Sequence, residues 1–494
     1  MYKKSLLPLI IFFSIAVGFI IGKFTYQSNN LFYSQNKDFL KLKSVIDLIE
    51  NNYKGKINVF DFLHKSLLKK LTEIDPYSYY LENEYIDDYE MDNSGIFNGL
   101  GISYFSYNDT IRILGVYENS PAEEAGLKVF DQILSVNGIS VVGVMQDSVA
   151  KIFKNKKKFD LEVKNFFTGQ ISKYRVKKKD ISLSSVEFSK IDDKTGYIKI
   201  DRFSQNTYDF FVDAANYLLI GGLDYLILDL RDNPGGILGT SVDILDEFFS
   251  SNDTLIITNT NENKETTYLA SPGGLLADVQ VIVLINDGSA SASELLSVSL
   301  QDLDRALFIG TNTYGKGVFQ QNIKTVQNDF LHITTGKYYG PSGRWIDHTD
   351  ALAEYDFEYF KTKHGRVVTS RNGIVPDIYY DYYGLEKIVD ILDNYAYEFV
   401  LEHKKMFIDI DADKIDEISK SIVDTTDIFM GYIETAEPLA ISFSKYFLDK
   451  SYYQKQIIKS DSVVIKALEI IDGDLIQEKI YEKDTIRLEL LDYM

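Results

Sequence analysis

The chain lacks cysteine altogether and has little histidine, which removes several kinds of active site at once. Among its 494 residues there is no cysteine, so disulfides, thiolate zinc sites and cysteine nucleophiles are all excluded. No two of its five histidines lie at helical ligand spacing, which excludes a metal site of the HExxH type. The histidines are His64, His332, His348, His364 and His403. The sequence thus indicates no metal and no other cofactor.

Basic residues are also scarce. The chain has 52 Lys and Arg against 73 Asp and Glu, a formal net charge of −21. This charge opposes any partner whose phosphates must be neutralised, such as duplex DNA. The one lysine-rich stretch, residues 151–179, alternates lysines with apolar residues, which is typical of strands with a solvated face and not of nucleic-acid or anionic-lipid recognition. We expect no nucleic-acid partner.

Long apolar runs are limited to the amino terminus. Residues 6–22 are uncharged and mostly apolar, close to the shortest run that spans a bilayer, and Lys3 and Lys4 precede them. Positive charge on this flank predicts that it stays in the cytoplasm while the remainder is exported. A cleaved signal peptide is the alternative, but no small-x-small cleavage site follows the run. We therefore expect residues 1–28 to be a retained single-pass inner-membrane anchor, with the bulk of the chain periplasmic in the cell envelope.

Four further segments follow, and together they predict a multidomain α+β protein. Residues 29–90 have helical spacing of apolar positions and predict a small helical module. Residues 91–180 change to short β-rich runs with a helix that opens at Ser120-Pro121. In residues 181–384, apolar strands alternate with helices, the pattern of an α/β core with buried parallel strands. Residues 385–494 predict a helical domain without an assignable motif.

The first chemical motif is a glycine-containing loop at residues 229–236, which begins at the end of the apolar strand 225–230. Gly235 and Gly236 are adjacent, and such a pair lets backbone N–H groups approach a bound oxygen closely, as an oxyanion site requires. A simple turn of the chain is the alternative interpretation of the same residues.

The second motif is a serine-rich junction at residues 288–294, between the apolar strand 281–286 and a predicted helix. A serine at such a junction is exposed at the carboxyl edge of the sheet, where the first helical N–H groups favour developing negative charge. Serine is also a preferred helix cap. Spacing alone does not choose a nucleophile among Ser289, Ser291 and Ser293.

The third motif, residues 310–317, nearly matches a phosphate loop. Gly317 stands where a hydroxyl must hold magnesium, and the residues that follow predict a strand instead of a helix, which disfavours nucleotide binding. Lys316 lies between glycines and beside apolar strands, where desolvation would lower its pKa and supply a neutral amine as a general base. A lysine in a surface turn is the alternative, but a serine junction and a glycine loop in the same domain favour the base.

These motifs carry a family resemblance. The three motifs read DLRDNPGG, NDGSASASELLSVSLQDLDRA and GTNTYGKGVFQQ in this chain. Together with a fourth segment, TTGKYYGPSGRWI, they resemble in order and spacing the bacterial carboxyl-terminal processing peptidases, also called tail-specific proteases. Upstream, LTEIDPYSYYL resembles the helical signature of that family, and residues 97–102 with SPAEEAGLKVFDQILSVNG resemble its PDZ domain. The resemblance covers about residues 40–380 and implies a crotonase-like α/β protease core.

The resemblance also implies roles for individual residues. Ser291 matches the family's nucleophile, and Lys316 matches its general base. Gln320 occupies the position that orients the lysine. The backbone N–H groups of Gly236 and Ala292 match the oxyanion hole.

Two other residues bear on the mechanism. Asp302 matches a further family position, but it lies eleven residues along the predicted helix from Ser291, about 16 Å at 1.5 Å per residue. We therefore expect a structural role for Asp302 and no proton transfer with that serine. A Ser-His-Asp arrangement would need His332, the one histidine near these motifs, and a strand histidine of the core or surface is the favoured interpretation.

The PDZ-like segment predicts how a substrate is recognised. Gly99, Leu100, Gly101 and Ile102 can present backbone N–H groups to a free carboxylate while the next strand pairs with an extended tail. A glycine turn before a strand is the alternative. In the family this domain binds substrate tails and helps gate the protease, so the resemblance implies gating here.

The sequence thus predicts a serine endopeptidase with a Ser-Lys dyad, acting on exported proteins or peptides with apolar carboxyl-terminal tails. The rival hypothesis is a catalytically inert PDZ scaffold of the same fold, which the joint presence of Ser291, Lys316 and Gln320 disfavours. Residues 385–494 lie outside the resemblance. They are interpreted as an oligomerisation surface, a platform for a regulatory partner or an inhibitory element.

Overall fold

The computed structural model describes residues 37–54, 58–154, 156–250, 252–261, 264–325, 328–347, 358–370, 373–381, 385–425 and 436–481. The predicted membrane anchor, residues 1–28, lies outside these ranges. Among the helices within them, none is both long and apolar enough to cross a membrane. The described residues divide into two compact units, one made of those up to Tyr80 with Leu331–Ile333, and the other of the rest.

The first unit is helical. It contains α1 (Lys37–Asn52) and α2 (Val59–Ile74), and the short strand β1 (Tyr79–Leu81) begins at its end. Helix α2 ends just before Asp75 because Pro76 disfavours helical backbone at the residue that precedes it. The Asp75 carboxylate then accepts a hydrogen bond from the Tyr77 N–H at 3.0 Å, which fixes the turn.

The second unit begins with a β-rich domain, here called the β domain (residues 86–182). Its antiparallel sheet has the order β3-β4-β5-β7-β8, with β6 beside β5, and β2 pairs separately with β9. In β7 the side chains of Phe159, Leu161 and Val163 are buried, while the lysines at both ends of the strand are exposed. The lysine-rich stretch therefore forms strands with a solvated face, as its alternation predicts. The elements are α3 (Ile86–Ser94), β2 (Ile96–Gly99), β3 (Ile102–Tyr107), β4 (Thr110–Val116), α4 (Pro121–Glu124), β5 (Gln132–Val136), β6 (Ile139–Ser140), α5 (Gln146–Lys154), β7 (Lys158–Lys164), β8 (Ile171–Lys177) and β9 (Lys179–Ser182).

A six-stranded sheet forms the core of the chain, in the order β10-β11-β12-β15-β16-β21. Strand β10 is antiparallel to β11, and the other five strands run parallel. The intervening helices supply the crossovers that parallel strands need. The elements are β10 (Val186–Lys190), β11 (Thr195–Ile200), α6 (Thr207–Ile220), β12 (Tyr225–Asp229), α7 (Leu238–Asp246), β15 (Gln280–Ile285), α8 (Ala292–Asp302), β16 (Ala306–Gly310) and β21 (Ile378–Tyr379).

The central strands of this sheet are buried on both faces, and their alternate residues belong to different apolar clusters. Leu226 and Leu228 pack with α6, α7 and α8 on one face. Ile227, between them, faces the other way and packs with the last helices of the chain. The same alternation occurs in β15 and β16, which explains why these strands are continuous apolar runs in the sequence.

Smaller β elements lie beside the core. Strand β18 pairs with β13, which pairs with β14, and β17 also pairs with β18. Strands β19 and β20 form a separate antiparallel pair. The bounds are β13 (Thr254–Thr260), β14 (Glu265–Leu269), β17 (Val318–Lys324), β18 (Phe330–Tyr339), β19 (Tyr359–Lys361) and β20 (Val367–Thr369).

The carboxyl-terminal helices pack against two different domains. Helices α13 and α14 cover the second face of the core sheet. An aromatic cluster on α9, α11 and the intervening 3-10 turn packs against Phe130 and Phe166 of the β domain. The bounds are α9 (Leu385–Glu402), the turn Lys404–Phe407, α10 (Ala412–Thr425), α11 (Glu437–Phe447), α12 (Lys450–Ser460), α13 (Ser462–Asp472) and α14 (Ile476–Tyr481).

Asp302, at the end of α8, has the structural contacts expected of it. Its carboxylate pairs with Arg344 at 2.8 Å, and the two side chains are 0% and 1% exposed. The same carboxylate accepts a hydrogen bond from the Ser342 N–H at 3.0 Å. The pair therefore joins the end of α8 to the segment that follows β18.

We predict that Asp302→Asn lowers the free energy of unfolding by about 3 kcal/mol, because it leaves the Arg344 guanidinium buried without a countercharge. Thermal and urea unfolding of the purified protein measure the change. Asp160→Asn is the matched control, since it breaks the Asp160–Arg175 pair, which is exposed and screened by solvent, and it should leave the free energy of unfolding almost unchanged. Equal effects of the two substitutions would contradict the prediction.

Candidate active site

The three sequence motifs come together because they follow three neighbouring parallel strands. The glycine loop follows β12, the serine junction follows β15 and the lysine loop follows β16, and these strands are adjacent in the sheet. The carboxyl ends of parallel strands lie at one edge, where α/β proteins bind their ligands.

The structure distinguishes the three serines of the junction. The Ser289 hydroxyl donates to the Leu230 carbonyl at 2.7 Å, and the Ser293 hydroxyl donates to the Asn233 carbonyl at 2.9 Å. Both side chains are buried and tie the serine junction to the glycine loop. Ser291 is half-buried and directly precedes α8, with backbone angles of φ 56° and ψ −111° that side chains rarely adopt. A strained serine at a strand-to-helix turn is a typical nucleophile position.

Glu294 joins the serine junction to the lysine loop. One of its carboxylate oxygens, Oε2, accepts from the N–H groups of both Ser291 and Lys316, each at 2.8 Å. The other, Oε1, accepts from the Thr313 hydroxyl and the Gly315 N–H, each at 2.6 Å. The residue is fully buried, and burial raises the pKa of Glu294, although these four hydrogen bonds work in the opposite direction.

Tyr338 on β18 makes a second connection between the same two residues. Its hydroxyl lies 2.9 Å from the Ser291 carbonyl oxygen and also contacts the Lys316 carbonyl oxygen, so both carbonyls share this donor. The main chains of Ser291 and Lys316 are thus held together at their N–H groups by Glu294 and at their carbonyls by Tyr338.

Gly317 is packed too tightly to be replaced by a larger residue. The indole of Trp345 donates to its carbonyl at 2.8 Å, and a Cβ at this position would lie 2.5 Å from the indole nitrogen. The hydroxyl that a phosphate loop needs has no room here, which agrees with the sequence argument against nucleotide binding.

The glycine loop presents backbone donors beside Ser291. Gly235 has φ +96°, and a Cβ there would lie 2.8 Å from both the Ser291 Cβ and the Ala292 nitrogen, so only glycine allows this approach. The Gly235 N–H donates to the Asn233 side chain at 2.8 Å. Within the described part of the chain, the N–H groups of Gly236 and Ala292 donate to no protein acceptor. Two such donors beside a serine can stabilise an oxyanion.

An ion-pair network at the start of the glycine loop stabilises that loop. Asp229 is fully buried, and its carboxylate accepts from the Arg231 guanidinium at 2.9 Å and from the Tyr197 hydroxyl at 2.7 Å. Burial alone would raise the pKa of Asp229, but the positive charge of Arg231 and its hydrogen bonds outweigh burial and hold that pKa below its usual value. Arg231 also pairs with Asp461, at the start of α13, at 2.7 Å.

Gln320 and His332 lie on strands β17 and β18. Gln320 lies on β17, four residues after Lys316, and its side-chain amide donates to the Thr334 hydroxyl at 3.0 Å. His332, the histidine of the alternative triad, stacks on the ring of Tyr79 with centroids 4.5 Å apart. That contact is typical of a packed strand histidine.

The predicted tail-binding residues lie at a groove of about 790 Å³ in the β domain. Gly99, Leu100 and Ile102 line it, together with apolar side chains of β3 and α5. Gly101 instead faces Ser120, where a Cβ would lie 2.1 Å from the Ser120 Cβ, and its φ of +82° suits glycine. Its role is to shape the loop.

Sequence reasoning missed Glu294, Tyr338 and the pair of Arg231 with Asp461. A signal existed for Glu294, because a serine followed three residues later by glutamate is the pattern of a helix capping box. Tyr338 lies within the segment TTGKYYGPSGRWI, which carries the family resemblance, but no local pattern assigns a partner to Tyr338 or to Asp461, and the contacts of both depend on the fold.

Comparisons with known proteins match the two central domains. Residues 194–380 match the family model of Peptidase family S41, and residues 112–165 match that of the PDZ domain. The first range contains all three loops at the sheet edge, and the second runs from within β4 to just past β7.

Relatives were also found among curated proteins and solved structures. A probable CtpA-like serine protease of Staphylococcus aureus (strain MRSA252) is 31% identical over 311 residues, covering 62% of this chain and 62% of that protein. Another, of Staphylococcus epidermidis, is 29% identical over 324 residues, covering 65% and 66%. The chain therefore spans just under two thirds of these relatives. The photosystem II D1 C-terminal processing protease has a TM-score of 0.40 at 20% identity, covering 71% of this chain and 88% of that chain.

We predict that Glu294→Gln lowers the thermal midpoint of unfolding by several degrees. A glutamine offers one acceptor oxygen, so its NH₂ group must face two backbone or side-chain donors, and each unsatisfied buried donor costs about 1–3 kcal/mol. Differential scanning calorimetry measures the midpoint. Glu398→Gln, at an exposed position of α9, is the control and should leave the midpoint unchanged. A midpoint for Glu294→Gln equal to that of the parent would count against the bridging role.

Proposed function

We propose that this chain is a serine endopeptidase that cleaves proteins selected by their carboxyl-terminal tails. Its matches to Peptidase family S41 and to the PDZ domain confirm the family resemblance. The observation that carries the proposal is the double connection between Ser291 and Lys316. Glu294 accepts from both of their N–H groups, and the Tyr338 hydroxyl contacts both of their carbonyls. A serine and a lysine held in this way are suited to act as nucleophile and base.

The proposed reaction is acyl transfer through a Ser-Lys dyad. The neutral Lys316 amine takes the proton of the Ser291 hydroxyl as the oxygen attacks the peptide carbonyl. The resulting ammonium returns that proton to the leaving amine as the peptide bond breaks. A water molecule, deprotonated by the same amine, then attacks the acyl-enzyme and releases the new carboxyl terminus and the Ser291 hydroxyl.

The N–H groups of Gly236 and Ala292 are the proposed oxyanion hole. Ala292 is the first residue of α8, so its N–H has no acceptor within the helix and benefits from the positive end of the helix dipole. Gly236 is exposed toward solvent, where a peptide carbonyl can reach it. Gln320 is the proposed orienting residue for Lys316, through its place on the strand that follows the lysine loop.

Tail capture is assigned to the groove of the β domain. Gly99, Leu100 and Ile102 line it, and an extended tail can add to the edge of β3 there. Apolar side chains of the groove, such as Tyr104 and Phe153, suit an apolar terminal residue. Cleavage of exported proteins in the cell envelope is part of the proposal and rests on the apolar run at residues 6–22.

An inert scaffold of the same fold is the competing function. A scaffold that performs no catalysis does not require the backbone strain at Ser291, which costs of order 1–3 kcal/mol. It also does not require the buried Glu294 carboxylate that joins the serine junction to the lysine loop. These features favour the enzyme over the scaffold.

We predict that Ser291→Ala and Lys316→Ala each lower cleavage of an unstructured protein with an apolar tail by at least about 10³-fold, because each removes one member of a unit. Gel-based cleavage by the full chain measures this, with circular dichroism to establish folding. Lys324→Ala, at an exposed position of β17, is the control and should cleave at the parental rate. Binding of the tail without cleavage by the parent chain would favour the scaffold.

Charge around the groove predicts a preference among tails. Four carboxylates line it, from Asp87, Asp88, Glu90 and Asp180, against the two lysines Lys154 and Lys178.

We therefore expect a peptide with lysine upstream of its apolar end to bind about 3- to 10-fold more tightly than the same peptide with glutamate at that position. This ratio of affinities should fall as the salt concentration rises. Fluorescence anisotropy of labelled peptides measures the ratio. The double substitution Asp88→Asn with Glu90→Gln should reduce it, and Asp147→Asn, outside the groove, should not. A ratio of one at low salt would refute the preference.

A further inference from the structure

The carboxyl-terminal helices contact the catalytic domain at a point that the family resemblance does not cover. Helix α13 begins after Asp461, and its buried side chains pack on the second face of the core sheet: Val463, Val464, Ala467, Ile470 and Ile471. Asp461 therefore lies where this helix meets the sheet.

Each oxygen of the Asp461 carboxylate has a separate partner. Oδ1 accepts from the N–H groups of Val463 and Val464, at 2.8 and 3.1 Å, and so caps α13. Oδ2 accepts from the Arg231 guanidinium at 2.7 Å. The side chains of Arg231 and Asp461 are only 12% and 5% exposed, so this contact is far less screened than a surface ion pair.

Arg231 belongs to the loop that carries the candidate oxyanion donors. Its own N–H and its guanidinium both bind the Asp229 carboxylate, at 3.0 and 2.9 Å, which fixes the start of the loop. Burial opposes the charge of Arg231, but Asp229 and Asp461 together raise its pKa well above the usual value. The guanidinium is thus held between the sheet on one side and α13 on the other.

We propose that Asp461 is a positioning residue for catalysis, so that residues 385–481 complete the active site instead of forming an independent appendage. Through Arg231, Asp461 sets the position of the loop that ends in Gly235 and Gly236, and hence the direction of the Gly236 N–H. This inference rests on the proposed peptidase function. An oxyanion donor must lie 2.7–3.1 Å from the developing charge, so a shift of the loop by a fraction of an ångström weakens it.

The test compares two helix-capping aspartates in the full chain. Asp461→Asn keeps a capping oxygen for α13 but removes the charge that faces Arg231. Asp449→Asn is the matched control, because Asp449 caps the preceding helix α12 through the Ser451 N–H at 2.7 Å and is exposed. If the function of Asp461 were helix capping alone, the two substitutions would have similar effects.

We expect Asp461→Asn to lower kcat by about 10- to 100-fold while KM and the affinity for a tail peptide change less than about twofold, because the oxyanion forms only in the transition state. Hydrogen exchange followed by mass spectrometry should show faster exchange in residues 229–237, with the rest of the sheet unchanged. Asp449→Asn should leave all these quantities at parental values. If Asp461→Asn does not fold, Arg231→Lys replaces it, since an ammonium cannot bridge two carboxylates as a guanidinium does, and the same pattern is expected.

The proposal is overturned if folded Asp461→Asn keeps the parental kcat, or if Asp449→Asn lowers kcat by as much as Asp461→Asn does. It is also overturned if hydrogen exchange becomes faster throughout the sheet, because that result marks general destabilisation. Failure of the peptidase function itself is a different result. In that case the parent chain does not cleave, and Ser291→Ala behaves like the parent. The exchange measurement still decides the positioning role, because it needs no activity.

Discussion

The parallel core sheet, buried on both faces, is the constraint on which the rest of the structure depends. A parallel sheet cannot leave a face open to water, because its strands are apolar on both sides. Helices α6, α7 and α8 cover one face, and α13 and α14, from the far end of the chain, cover the other. The edge of the sheet that carries the candidate site and the carboxyl-terminal helices therefore belong to the same packed structure. Asp461 contacts Arg231 because α13 must lie against the sheet.

At the sheet edge that carries the candidate active site, buried polar groups connect the loops. Glu294 gathers four donors from two loops, and Asp229 with Arg231 fixes the base of a third. Buried polar networks of this kind hold one geometry when every member is satisfied. The strained backbone of Ser291 is maintained by these surrounding contacts, because nothing in its local sequence favours φ 56°.

The sequence predicted what depends on local pattern. The strands at 225–230 and 281–286, the helix after the serine junction and the strand after Lys316 all follow from periodicity and turn residues. The choice of Ser291 among the three serines came from the family resemblance, whereas the role of Lys316 as a base was inferred from its loop as well as from that resemblance, and both roles stay predictions. Residues separated widely in the chain were not predictable, because Tyr338 and Asp461 acquire their partners only when the sheet edge and its covering helices assemble. Gly101 shows that a local motif does not assign the same role to each of its residues. A glycine is needed at this position because it packs against Ser120, whereas its neighbours line the groove.

The position of α13 and α14 along the chain has a consequence for the order of folding. Every strand of the core sheet is synthesised before the helices that cover its second face, and contacts of such long sequence separation form late. Until residues 461–481 arrive, one face of the sheet is uncovered and Arg231 lacks one of its two carboxylates. Under the proposed function, a growing chain would therefore have its oxyanion loop fully positioned only after residues 461–481 have been made.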